Sequence, residues 1–350
     1  MSATARARPD AGDVSAQLAR AIETLCRQLL SAGRRRGHYW TCGSVDNERG
    51  QSLYVHLSGP RAGRWADAAT GEHGDALDLV AATQCRGDRK AAYAWACAWL
   101  GYATGTAVAP VTAPAAVARA DVEQAGRDDD AARRRLALRL WLEAEATLSG
   151  TPACAYLAAR GIDMARLGRQ PRALRFHPAL RHAPSGRSLP ALVAAVHDGD
   201  GAHTATHRIW LDRQDGVWRK APVTPNKMSL GVLAGGSIRI WRGASRAPLR
   251  EAPEDEPVVV GEGIETCLSI ALAVPEYRVL CAVSLGNMAA VALPPQVRDV
   301  ILAADNDAGD GPRRALARAV AAHLDAGRRV RVARAEIGSD FNDTLQAWSA

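Results

Sequence analysis

Pro257-Val258-Val259-Val260-Gly261-Glu262-Gly263-Ile264-Glu265 passes from an unbroken apolar run straight into an acidic, glycine-flanked turn. The run reads as a buried strand and the turn as its hand-over to a helix. Val300-Ile301-Leu302-Ala303-Ala304 repeats the pattern and ends in Asp305-Asn306-Asp307-Ala308-Gly309. Strands near 257–261, 278–284, 299–304 and 329–334, with helices between them, predict a doubly wound parallel sheet. In such a sheet the loops at the carboxyl ends of the strands converge on one crevice. Glu262, Asp305 and Asp307 are therefore expected to share a small volume, which is costly unless a cation neutralises them. Hard oxygen ligands suit Mg²⁺ or Mn²⁺ rather than zinc. The pattern predicts a metal site for phosphoryl chemistry.

Each element of that site also has a plainer reading. Glu262 can be a solvated acid favouring a helix N-terminus. Asp305-Asn306-Asp307 can be an Asx-type turn. Asp340-Phe341-Asn342-Asp343, after the fourth strand, offers Asp343 as a further metal ligand, or a helix N-cap by Asp340 or Asn342. Ser284-Leu285-Gly286-Asn287 ends the second strand, where Gly286 permits a sharp turn.

Working outward, the chain of 350 residues is long enough for two or three domains. Residues 1–13 are expected to be disordered. Residues 14–101 form a first module: a helix over 14–32, short strands at 38–42, 52–57 and 64–67, and helices over 75–84 and 89–100. Residues 102–130, rich in Ala, Pro, Thr and Val, read as a linker. The segment 131–254 opens with helices over 131–148 and 152–160. It continues as a β meander with strands at 189–197, 205–211 and 217–220, followed by a β-rich stretch from 231 to 241. Residues 255–350 carry the strand–helix repeats. The fold class is thus mixed α/β and α+β.

The net charge of +7 permits a polyanionic partner without demanding one. Of 44 basic side chains only Lys90, Lys220 and Lys227 are lysines. The seven cysteines are odd in number and widely spaced, with no CxxC pair, which argues against a disulfide framework and suits a reducing cytoplasm. No apolar run approaches membrane-spanning length and the first residues lack a signal-peptide core, so a cytoplasmic protein without a membrane partner is expected. None of the lysines follows a glycine, so a Walker A loop is missing and any unwinding falls to a separate helicase.

Gly261-Glu262-Gly263, Ser284-Leu285-Gly286-Asn287 and Asp305-Asn306-Asp307-Ala308-Gly309 resemble, in order, spacing and strand context, the Toprim domain of bacterial-type primases, topoisomerases and some nucleases. The resemblance spans roughly 255–348. It implies acid/base or metal-binding work for Glu262 and Mg²⁺ binding by Asp305 and Asp307. Ala155-Tyr156-Leu157-Ala158-Ala159-Arg160-Gly161-Ile162 is similar to the entry of the replicative primase core. The stretch from Leu189 through Arg208, Lys220, Lys227 and Leu230-Gly231 is similar to that core's basic subdomain, which implies that Arg208, Lys220 and Lys227 bind phosphates of template or nucleotide, with Asn287 a further contact. Lysine in an arginine-rich chain suits a compact charge aimed at phosphate.

Gly63-Arg64-Trp65-Ala66-Asp67 and Gly71 to Val80 resemble the far end of a primase zinc ribbon whose paired cysteines are missing. His38, Cys42, His56, His73 and Cys85 match no usual zinc spacing, so no zinc is expected. Trp40 and Trp65, with Arg61 and Arg64, offer either a surface for single strands or a core. The resemblance implies a primase of a phage, plasmid or mobile element. It would make short RNA primers from nucleoside triphosphates on single-stranded DNA. The alternatives are a metal-dependent Toprim nuclease and a non-catalytic, single-strand-binding replication accessory.

Overall fold

The computed structural model describes residues 9–67, 70, 72–102, 115–306 and 309–349. The chain divides into two compact units, residues 1–127 and 128–350.

The first unit opens with α1 (Ala11–Arg20), capped by the Asp10 carboxylate on the Asp13 amide, and α2 (Ile22–Leu29). The single helix expected over 14–32 is therefore broken at Ala21. Strands β1 (Arg34–Arg36), β2 (Tyr39–Cys42), β3 (Leu53–His56), β4 (Trp65–Asp67) and β5 (His73–Gly74) form an antiparallel sheet in that order. Helices α3 (Ala76–Gln84) and α4 (Arg89–Trp99) follow, the first begun by a reciprocal capping box between Asp75 and Asp78. Val14, Leu18 and Leu25 pack with Trp40, Val55 and Trp65 in one core. Both tryptophans are 4% exposed, and the Trp40 indole donates to the Leu30 carbonyl at 3.0 Å. Of the two readings of Trp40 and Trp65, the core is the one realised.

Helix α5 (Ala115–Glu143) begins inside the expected linker and ends short of the expected 148. Ala, Arg and Leu make up 18 of its 29 residues, and these are strong helix formers. Beyond it Glu145 pairs with Phe176 as an isolated bridge. Residues 103–114 of the expected linker, and 1–8 of the expected disordered start, lie outside the described residues. In the second unit, α6 (Pro152–Ala159) has Thr151 as N-cap and Pro152 in its first turn, where a missing amide costs nothing. Strands β6 (Leu174–Arg181), β7 (Ser188–His197), β8 (His203–Gln214), β9 (Val217–Lys220), β10 (Lys227–Gly231) and β11 (Ser237–Arg242) form the meander. Then come β12 (Val258–Gly261), α7 (Ile264–Ala273), β13 (Arg278–Cys281), α8 (Leu285–Met288), β14 (Asp299–Ala304), α9 (Asp310–Asp325), β15 (Arg329–Arg334) and α10 (Phe341–Ser349).

These strands make one sheet of ten, ordered β10-β8-β7-β11-β13-β12-β14-β15, with β6 on β7 and β9 on β8. Strand β11 is antiparallel to both β7 and β13 and so fuses the meander to the parallel part. The doubly wound character belongs to β13-β12-β14-β15, all parallel. Val259, Val279 and Ile301 face a core shared with α6, α7 and α10, while Val258, Val260, Leu280, Val300 and Leu302 face α8 and α9. Alternate residues are thus buried on opposite sides, which is why β12 reads as an unbroken apolar run. Gly261 is required at its end: a Cβ there would lie 2.7 Å from the Cys267 sulfur of α7.

Candidate active site at the carboxyl rim of the sheet

Strands β12 and β14 are hydrogen-bonded neighbours in register, with Gly261 opposite Ala303. Glu262 and Asp305 leave their carboxyl ends side by side. Both are half-buried and line one shallow depression with Leu285, Ala304, Pro312, Leu316, Arg313 and Arg334. The loop after β14 is laced to the one after β15. The Asn306 amide donates to the carbonyls of Ala335 and Gly338 at 2.9 and 3.1 Å, and its backbone N–H to Ser339 O at 2.8 Å. Arg334 donates to the Asp305 carbonyl at 3.3 Å. Asp307 lies outside the described residues. Among the described residues no group of three His, Cys, Asp or Glu side chains gathers as a metal site. The two carboxylates still fit a hard cation, since Mg²⁺ commonly takes one or two from the protein and completes its shell with water and substrate phosphate.

The turn after β13 is held by Asn287. Its side chain accepts from the Gly235 amide at 3.0 Å and donates to the carbonyls of Gly236 and Ala282, both at 2.9 Å. The amide expected to touch nucleotide is 7% exposed and spent on backbone. This bracing accompanies a real constraint: Val283 has φ of 73°, a region β-branched residues rarely enter. Asp343, part-exposed, is engaged within its own turn, accepting from the Ser339 amide at 2.8 Å and hydroxyl at 2.7 Å. The Ser339 hydroxyl is the leading cause of its lowered pKa. Asp340 caps α10 by accepting from the Asp343 amide at 2.9 Å, as one sequence reading had it. Asn342 is fully buried and instead bridges Arg160 O and Ser269 Oγ at 2.7 and 3.0 Å.

A basic cluster lies on β8, β9 and β10. Lys227, Arg208 and Lys220 all bias the buried His207 imidazole, whose pKa is driven down to about 3, chiefly by burial and then by Lys227. The Arg208 guanidinium lies 5.1 Å over the Trp210 ring, and burial lowers it to about 10. Lys220 reaches across to Glu265 on the first turn of α7, Nζ to Oε1 at 2.9 Å. The same oxygen accepts from the Tyr156 hydroxyl. Burial opposes the charge on Glu265, but the Lys220 ammonium and the Tyr156 hydrogen bond outweigh it and draw the carboxyl down to about 2. Tyr156 of the primase-like segment is thus a strut joining α6 to α7.

Glu265, Arg313 and Arg334 escaped the sequence reading. Arg334 ends a strand just as Glu262 and Asp305 follow theirs, so the strand-end rule could have found it. Glu265 carried no such signal.

Residues 257–350 match the Toprim domain family. The chain carries a Toprim domain. The preceding residues 131–240 match a domain of unknown function (DUF7146). Among solved structures, the zinc-binding and RNA polymerase domains of the Aquifex aeolicus primase are 14% identical with a TM-score of 0.40, over 98% of this chain and 83% of that one. The primase fragment of the bacteriophage T7 primase-helicase protein is 15% identical with a TM-score of 0.33, over 56% and 69%. A DnaG primase catalytic domain bound to single-stranded DNA is 16% identical with a TM-score of 0.38, over 64% and 78%. No curated protein matches. The depression between Glu262 and Asp305 lies within the Toprim domain, and the Lys220–Glu265 contact links that domain to the segment before it.

Proposed function

We propose that the chain is a primase-like nucleotidyltransferase that joins ribonucleotides on a single-stranded DNA template. The observation that supports this best is the meeting of Glu262 and Asp305 at one depression beside Arg313 and Arg334. Glu262, Asp305 and Asp307 would hold Mg²⁺ or Mn²⁺. When bound, that cation neutralises the charge developing on the transferring phosphate. Glu262 is the group to take the proton of the attacking 3′-hydroxyl. Arg313 and Arg334 draw in the triphosphate and steady the departing pyrophosphate. Arg208, Lys220 and Lys227 bind phosphates of template or nucleotide. A cytoplasmic setting, a separate helicase and origin in a phage, plasmid or mobile element belong to the same reading.

The test is the purified chain with single-stranded template, labelled nucleoside triphosphates and Mg²⁺. Short oligonucleotides that vanish with Asp305→Ala support priming. Strand cleavage without triphosphates identifies a Toprim nuclease instead, and strand binding with neither product leaves a replication accessory.

A further inference from the structure

Asn306 stands between the two acids of Asp305-Asn306-Asp307, and their loop is fastened through it. Its amide nitrogen meets two carbonyl oxygens, Ala335 O at 2.9 Å and Gly338 O at 3.1 Å. Two acceptors fix which end of the amide is nitrogen, and both of its hydrogens are spent on them. The backbone N–H of the same residue donates to Ser339 O at 2.8 Å. Every donor of Asn306 thus reaches the loop after β15, remote in sequence.

That loop is a fixed frame. The buried Thr344 hydroxyl accepts from the Ile337 amide at 3.2 Å and donates to the Ile337 carbonyl at 3.0 Å. Gly338 has φ of 76°, and a Cβ there would lie 2.4 Å from that of Asp343, so the turn admits no side chain. Asn342, in the first turn of α10, ties the following helix to Arg160 O and Ser269 Oγ. The pairing of β14 with β15 reaches only as far as Ala304 opposite Arg334. Past that point the ladder no longer holds the acid loop, and Asn306 takes over together with the Arg334 bond to the Asp305 carbonyl.

We propose that Asn306 is the positioning residue of the cation site: by pinning the loop after β14 to the loop after β15, it holds the Asp305 carboxylate in place for an ion shared with Glu262. This role rests on the reading of Glu262 and Asp305 as cation ligands. A hard ion such as Mg²⁺ demands near-ideal geometry. On an unpinned loop the ion itself has to order its carboxylate, and affinity falls. Partners that orient metal ligands are commonly worth about 10–100-fold in affinity. A plain loop staple would support stability alone.

The test is Mn²⁺ binding to the full chain, read from the paramagnetic resonance of the free ion, without template or triphosphates. Ions that survive Asp305→Ala lie elsewhere and are subtracted. Asn306→Leu keeps the outline of the side chain without its donors, and Asn306→Ala removes it. Both are expected to weaken the Asp305-dependent site by about 10–100-fold, with Tm within about 3 °C of the parent chain. The Mg²⁺ concentration for half-maximal synthesis should rise by the same factor. A folded Asn306 variant that binds Mn²⁺ within about twofold of the parent overturns this role alone. Weaker binding matched by an equal fraction of unfolded chain, read by circular dichroism, overturns it as well. A parent chain that holds no Asp305-dependent Mn²⁺ removes the cation reading itself, and this role with it.

Discussion

Glu262 and Glu265 stand three residues apart at the start of the same helix, yet the fold treats them oppositely. Glu262 lines an open depression with Asp305, whereas Glu265 is 7% exposed and carries its countercharge with it in Lys220 and Tyr156. A pair sealed on both sides sits at the amino ends of the strands, where Arg278 and Glu256 are 2% and 5% exposed and 2.7 Å apart. Burial with an internal partner turns a carboxylate into a structural part. A place on an open rim beside other carboxylates and arginines suits it to a cation and a phosphate.

The contrast is tested most severely by Asp305→Ala, which should reduce primer synthesis on the order of ten-thousandfold while thermal unfolding barely moves. A large loss of stability there would erase the distinction between rim and interior. Arg278→Ala should do the reverse, destabilising by about 3–5 kcal/mol because Glu256 is left buried and alone. Denaturant titration reads this, and the apolar double variant Arg278→Met with Glu256→Leu should recover most of it. Glu265→Gln should cost less, about 2 kcal/mol, since Lys220 is 37% exposed and water can compensate it. In a unit of this size that lowers Tm by about 6 °C. If Glu265→Gln abolishes synthesis at unchanged Tm, Glu265 belongs with the rim.

Acid should sharpen the comparison further. His207 has its pKa lowered from 6.5 to about 3 and Glu265 from 4.5 to about 2. Between those limits the unfolded chain binds the proton and the folded chain does not. Stability is therefore full above about pH 6.5 and declines on acidification, first through His207 and then, below about 4.5, through Glu265. The slope is about 1.4 kcal/mol per pH unit for each proton. His207→Gln should flatten the upper part of that decline in a pH series of thermal melts. The smallest effect is expected of Asp343→Asn, within about 1 kcal/mol in stability through weakened Ser339 bonds. It should leave the Mg²⁺ concentration for half-maximal synthesis unchanged, whereas Glu262→Gln should raise it.

Much of the Toprim domain was legible beforehand. Strands at 258–261, 299–304 and 329–334 fall on or within a residue of their expected limits because each is a short run bounded by helix-forming or turn residues. Other elements were missed for identifiable reasons. The three residues of β1 are all arginine and carry no apolar alternation, and β6 is interrupted by Pro178. The start of α5 was obscured because prolines and threonines just ahead of it extended the look of a linker.

The apolar runs and the acids that end them were enough to establish a parallel sheet with Glu262 and Asp305 at its carboxyl rim, because strand alternation and strand ends are local properties. The roles of Asn287, Glu265 and the tryptophans were not contained in any local pattern. Each depends on a partner far along the chain (Gly235, Tyr156 and Lys220, Leu30), and whether a polar or aromatic group is spent internally or offered outward is settled by what packs against it.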